Sequence, residues 1–262
     1  MRLRFLGTGT SFGVPVVGCD CATCTSSDPR DRRTRHGALL TADDGRALLI
    51  DAPPELRLQL LRDRVSRVDA VWFTHAHADH VHGIDDLRVF AGRRGQPLPV
   101  YAHAETARHL ERRFDYIFDD GYAPPEGTSR PNLVLHEFEP FVPVTAAGFS
   151  LLPIEVPHGD QRVFGLRTGS LGYITDAKTL DDRSLRALRG VHTLVLNALW
   201  PGHPHPTHFN VEEALAAARA VAAERTFLTH LTHRVRHAEL AADLPEGIEP
   251  AYDGLLIDVP DA

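Results

Sequence analysis

Cysteine is scarce in this chain of 262 residues: there are three, at positions 19, 21 and 24. An odd set packed into one short window cannot make a disulfide framework, which needs pairs spread along the chain. It excludes a small stapled scaffold and fits a metal clip. No apolar run approaches the roughly 20 residues of a bilayer-spanning helix, so no membrane partner is expected. Basic charge is also short, with 28 Lys and Arg against 35 Asp and Glu and a net charge of −7. Proteins that live on nucleic-acid backbones carry a basic excess, so no large RNA or DNA partner is expected. A small anionic substrate stays open, because bound cations invert the local field. The opening residues read as a short strand and not as a basic region leading into an apolar run, so a cytoplasmic location is expected. No long linker and no clear internal repeat divides the chain, which reads as a single domain over 1–262.

Hydrophobic residues make up 43% of the sequence and charged residues 24%, enough for a packed core. Apolar patterning predicts strands over 2–6, 37–41, 46–51, 70–74, 99–102, 133–138, 149–156, 163–168, 171–175, 193–196 and 226–229, with 252–259 closing the chain. Asp43-Asp44-Gly45 is a hairpin signal between the second and third. Helices are predicted over 54–64, 84–93, 106–114, 180–188 and 211–223. The Asp-, Gly- and Pro-rich stretch 119–131 reads as a loop. Two successive runs of strands, each followed by mixed strands and helices, predict an α/β fold with two sheets face to face and helices outside.

Histidine is abundant, with 16 in the chain, and one run carries most of the information: His75-Ala76-His77-Ala78-Asp79-His80. Residues two apart in an extended segment point the same way, so His75 and His77 can grip one ion. A helix beginning near Asp79 turns Asp79 and His80 elsewhere, toward a second ion. Four ligand-type residues directly after an apolar strand are a specific signal, unlike a surface His-rich loop. Imidazole and carboxylate suit zinc, manganese or iron. Three further ligand-type residues, His158, Asp176 and His230, each follow an apolar strand.

The His-x-His-x-Asp-His run, followed by His158, Asp176 and His230, resembles the metallo-β-lactamase superfamily over nearly the whole chain. The resemblance implies an αββα sandwich with the site at one edge between the sheets. It implies two divalent ions, with His75, His77 and His158 on the first, Asp79, His80 and His230 on the second, and Asp176 bridging. It places Asp51 behind the ligands as their support, and Asp79 among the catalytic groups.

The N-terminal loop narrows the branch. Gly7-Thr8-Gly9-Thr10-Ser11, Gly13-Val14-Pro15 and Cys19-Asp20-Cys21-Ala22-Thr23-Cys24 resemble the phosphodiesterases of bacterial phosphonate breakdown, which act on a phosphoribosyl 1,2-cyclic phosphate. That resemblance implies a structural zinc on Cys19, Cys21 and Cys24, with His233 as the fourth ligand. Thr207-His208-Phe209-Asn210 matches the same branch, with His208 as proton donor to the leaving oxygen. The expected activity is hydrolysis of small cyclic or linear phosphodiesters by a hydroxide held between two metals. A ribonuclease Z-like nuclease, a non-phosphate ester hydrolase and a binding module of the same fold are the alternatives. Ribonuclease Z needs a basic arm that this sequence lacks, and a quinone-cofactor relative with a similar cysteine loop has a degraded metal motif. Arg88 reads either as a phosphate contact or as a solvated helix charge. The 116–131 segment reads as a lid, a homodimer contact or a plain surface loop. His203 and His205 border the expected site.

Overall fold

Alternation along the strands decides the layers. Leu39 and Leu49 turn to one side of their strands and Leu40, Leu48 and Ile50 to the other, and the two sets are buried in different apolar clusters. A sheet that is apolar on both faces must be covered on both faces. The computed structural model, which describes residues 1–119, 121–122 and 124–260, shows how.

One sheet holds seven strands in the order β14 (Leu256–Asp258), β1 (Arg2–Gly7), β2 (Gly37–Thr41), β3 (Ala47–Ile50), β4 (Ala70–Trp72), β5 (Leu98–His103) and β6 (Leu133–Phe138). The other runs β13 (Ile248–Pro250), β12 (Arg225–Thr229), β11 (Thr193–Asn197), β10 (Leu171–Tyr173), β9 (Gln161–Thr168), β8 (Phe149–His158) and β7 (Val144–Ala146). Each sheet begins antiparallel, then turns parallel from β3 to β6 and from β10 to β13. Parallel neighbours need crossovers, and those crossovers are the helices. α1 (Leu56–Arg62), α2 (Ala78–Val81), α3 (Arg88–Arg94), α4 (Ala104–Arg113) and α5 (Asp115–Phe118) serve the first sheet. α6 (Asp182–Leu188), α7 (Val211–Val221) and α8 (His237–Asp243) serve the second. The result is the αββα sandwich expected from the sequence.

The layer between the sheets is rich in aromatics. Trp72 stacks on Phe138 with ring centroids 4.1 Å apart and planes 5° from parallel. Its indole Nε1 donates to the Phe164 carbonyl at 3.0 Å, so the polar edge of the ring is satisfied across the sheets.

The glycines of the N-terminal motif are steric. A Cβ at Gly7 would run into the Arg35 carbonyl, and one at Gly9 would approach the Arg33 carbonyl at 2.8 Å. The motif lets the end of β1 lie against residues 33–35. Arg33 is itself buried there and donates from Nη1 to the carbonyls of Thr232 and Val235 at 2.8 and 2.9 Å. The cysteine loop is thereby joined to the chain that follows β12.

The structure adds elements that patterning does not announce, among them β7, β13 and α8. Three-residue strands are too short to show alternation. α8 has Arg236 at its N-cap with no side-chain cap, so it lacks a start signal. The predicted 84–93 helix divides into a 3-10 turn over Ile84–Leu87 followed by α3.

Candidate metal centres and active site

The ligand-type residues gather at the carboxyl ends of strands, the usual position of a site in such sheets. Asp51 follows β3, the histidine run follows β4, His158 ends β8, Asp176 follows β10 and His230 follows β12. Ligand atoms of His75, His77, His158 and Asp176 all lie within 4.8 Å of one another, as do those of His80, Asp176 and His230. Asp176 belongs to both groups. Its Oδ1 is 3.3 Å from His230 Nδ1, and its Oδ2 is 3.4 Å from His80 Nε2 and 3.7 Å from His75 Nε2. Asp79 stands slightly apart: its Oδ2 is 3.6 Å from His80 Nε2, but it falls outside both groups.

Polar contacts behind the rings fix which nitrogen faces the centre. His80 Nδ1 lies 2.7 Å from Asp51 Oδ2. Asp51 in turn accepts from the backbone N–H of Thr74 at 2.9 Å and from its hydroxyl at 2.8 Å. His158 Nδ1 donates to the Thr207 carbonyl at 3.1 Å, and His75 Nδ1 is 3.1 Å from the Thr74 hydroxyl. Each of these three rings presents Nε2 inward.

Backbone conformation contributes to the aim. Asp51, Asp176 and His230 sit at φ of 62°, 55° and 58°, the left-handed region. For a residue with a side chain this costs on the order of 1–3 kcal/mol and persists only where surrounding contacts enforce it. At Asp176 the enforcer is Asn197, whose side chain accepts from Ala177 N–H at 2.7 Å and donates to its carbonyl at 3.1 Å.

Electrostatics leave most of the donors in their ligand form. Burial pushes the pKa of His75 well below its ordinary value and lowers those of His77 and His158. Burial also takes His230 down to about 4. Burial pulls His80 the same way, but the carboxylates of Asp176, Asp51 and Asp79 outweigh it and hold that ring well above the usual value. Burial opposes the Asp176 carboxylate too, yet His230 and His80 keep it well below the usual range. Neutral imidazoles around an ionised carboxylate are the donor set that a divalent cation takes. His80 Nε2 and His230 Nδ1 are buried without a hydrogen-bond partner, and a cation would satisfy both. The residues therefore fit the implied metals.

A second constellation lies on the N-terminal loop. His233 Nδ1 is 3.3, 3.4 and 3.7 Å from the sulfurs of Cys19, Cys21 and Cys24. Tetrahedral zinc, with bonds of about 2.3 Å to sulfur and 2.0 Å to nitrogen, would set those atoms roughly 3.5 Å apart. The Cys24 N–H, with help from His233, lowers Cys21 to about 6, whereas burial pushes Cys24 up to about 11. The cluster thus already stabilises one thiolate.

His208 Nε2 lies 3.4 Å from Asp176 Oδ2, and its Nδ1 is 2.9 Å from the Thr207 hydroxyl. It lines a cleft of about 550 Å³ together with His77, Asp79, His158, Asp176 and His230. Two readings left open by the sequence are narrowed. Arg88 forks onto the Asp85 carboxylate at 2.5 and 2.6 Å instead of reaching the cleft. No described residue of 116–131 lines the cleft, so nothing marks that segment as a lid; residues 120 and 123 lie outside the described residues. His205 does border the site, with its ring 5.1 Å from that of His208.

One residue escaped sequence reasoning. His36 is fully buried, with its ring centroid 5.4 Å from His80 and 5.9 Å from His230. Its Nε2 is 2.8 Å from the Tyr173 hydroxyl. A single His before a strand carries no pattern, so its place beneath two of the candidate ligands was invisible.

The fold and the donor set define a metal-dependent hydrolase. The chain belongs to the β-lactamase superfamily, whose domain model matches residues 46–231. More particularly, it is similar to a diphosphatase of the PhnP family, whose crystal structure superposes with a TM-score of 0.90 at 37% identity, covering 99% of this chain and 98% of that one. Zinc-bound PqqB from Methylobacterium extorquens shares the fold at a TM-score of 0.77 and 19% identity, covering 99% of this chain and 100% of that one. An octanoyltransferase of Porphyromonas gingivalis is 36% identical over 256 residues, 97% of this chain and 51% of that protein. The chain spans about half the length of the curated relatives it matches.

Proposed function

We propose that the cleft hydrolyses a phosphoric diester or diphosphate bond in a small substrate. The observation that carries this is Asp176, one carboxylate shared by two ligand groups that each close within 4.8 Å. His75, His77 and His158 would hold one divalent ion and His80 and His230 a second, with Asp176 common to both and Asp79 beside the second. Bound there, two such ions lower the pKa of a water and neutralise phosphoryl charge. The chain's own part is to fix the donors and to handle the proton of the departing oxygen.

His208 would perform the second task. Its Nε2 stands at the edge of the donor set and its Nδ1 is tied to Thr207. A protonated imidazole there can hand its proton to the leaving alkoxide. α7 fixes the segment: Asn210 Oδ1 accepts from Glu213 N–H at 2.8 Å, and Glu213 Oε2 accepts from Asn210 N–H at 3.0 Å. The likeness to a diphosphatase supports phosphoryl chemistry, and the net charge of −7 disfavours a long polynucleotide. The octanoyl transfer named for the P. gingivalis protein is not carried over, because this chain spans 51% of that protein.

The test is turnover of bis-p-nitrophenyl phosphate by the metal-loaded protein and by its His77→Ala variant. Loss of turnover in the variant is expected, and unchanged turnover at equal metal content would remove the cleft from the chemistry.

A further inference from the structure

We propose that the cavity beside the cleft is a nucleobase subsite, so that the substrate is a nucleotide-linked diester or diphosphate; this rests on the cleft being a phosphoryl site. The cavity measures about 430 Å³ and shares Ser11, His208 and His230 with the cleft. A ligand with its phosphate at the candidate metal centre therefore has one continuous path into this cavity.

The walls choose the ligand. Phe12 leaves 74% of its surface in water, so its ring is open to stacking by a ligand. Opposite chemistry comes from Trp200, whose Nε1 donates to the His203 carbonyl at 2.8 Å and so fixes the indole. The Arg234 guanidinium lies 4.4 Å from the centre of that indole, and His205 meets it edge-on at 5.5 Å. Arg234 is exposed and forms no ion pair among the described residues, which leaves its charge for a ligand. Two aromatic rings and a planar cation around one cavity favour a flat π-system that also carries a phosphate. An acyl chain would gain nothing from the guanidinium. The volume suits a small molecule and not a peptide or a lipid surface.

The same walls are tied together. Phe12 belongs to the loop that leads into Cys19, Cys21 and Cys24, and Arg234 follows His233. The thiol–imidazole cluster thus fastens one side of the cavity to the other. It would keep the subsite preformed, which lowers the ordering cost of binding.

Calorimetric titration of the metal-loaded protein with AMP and with ribose 5-phosphate separates the base from the rest of the ligand. Base stacking on aromatic side chains is worth on the order of tenfold to a hundredfold in affinity. AMP is expected to bind at least about tenfold more tightly than ribose 5-phosphate. That ratio should fall toward one in Trp200→Ala and in Phe12→Ala and persist in Trp200→Phe. Equal affinities in the parent, or a ratio that both alanine variants keep, would overturn the subsite while ribose 5-phosphate binding leaves the phosphoryl site standing. Failure of both ligands to bind, with no turnover of bis-p-nitrophenyl phosphate, would overturn the phosphoryl site and the subsite with it.

Discussion

Asp51 Oδ2 lies 2.7 Å from His80 Nδ1, and both side chains are wholly shielded from water. The contact orients His80 Nε2 toward Asp176, and it holds the ring from behind while leaving the inward nitrogen free. Removing a carboxylate in this position ordinarily costs 10- to 100-fold in metal affinity. Asp51→Ala is therefore expected to lose metal at dilutions of chelator that leave the parent loaded, by a factor of about 10 to 100. Equal retention in a competition titration would mean that Asp51 is a packing residue.

Arg33 and Asp31 form a buried pair at 3.3 Å, and Asp31 Oδ1 also accepts from the His237 N–H at 2.6 Å. Asp31→Ala would strand the guanidinium without its carboxylate. Breaking a buried pair from one side typically costs about 3–5 kcal/mol. Denaturant unfolding should show a loss of that order. A change under about 1 kcal/mol would imply that the Thr232 and Val235 carbonyls alone satisfy Arg33.

Cys21→Ser removes one thiolate from a closed four-donor set and leaves the cleft donors untouched. Its Tm should fall more than its content of metal at the cleft, because a structural site couples metal binding to folding. An unchanged Tm would speak against a structural ion. The pH dependence has a definite sign. The Cys21 thiol is lowered to about 6, so its thiolate is present above that pH and protonated below it. Below that pH protons compete with metal for the Cys21 sulfur, so the affinity of this site should decline with falling pH, and metal counting across an acid titration checks the direction.

His208→Gln keeps a polar side chain but removes the proton donor. An ester with a poor alkoxide leaving group should slow by about 10²–10⁴, whereas one that releases p-nitrophenolate should slow far less. Equal slowing on both would assign His208 to binding and not to proton transfer.

Much of this was legible in the sequence because strands and ligands share a punctuation. An apolar run ending in His, Asp or a His-x-His run fixes both the strand and its functional end, as at Thr74–His75 and Thr229–His230. The cysteines were legible for a similar reason: three thiols in one short loop need a common partner. What stayed hidden has no local signature. His36 reaches its place through the register of β2, and Asn197 acts through a turn that follows another strand. Asp51, Asp176 and His230 adopt a left-handed backbone that no residue pattern announces. The cavity of Phe12, Trp200 and Arg234 joins residues from distant parts of the chain, so only the fold shows them as neighbours.

The most direct measurement is metal counting joined to turnover for Asp176→Ala against the parent, both stripped by chelator and reloaded with zinc or manganese. Loss of the shared carboxylate should leave the parent's catalytic metal pair unfilled and abolish turnover of bis-p-nitrophenyl phosphate, while the metal on the cysteine loop stays. A variant that binds as much metal as the parent and still hydrolyses the diester at the parent's rate would contradict the account.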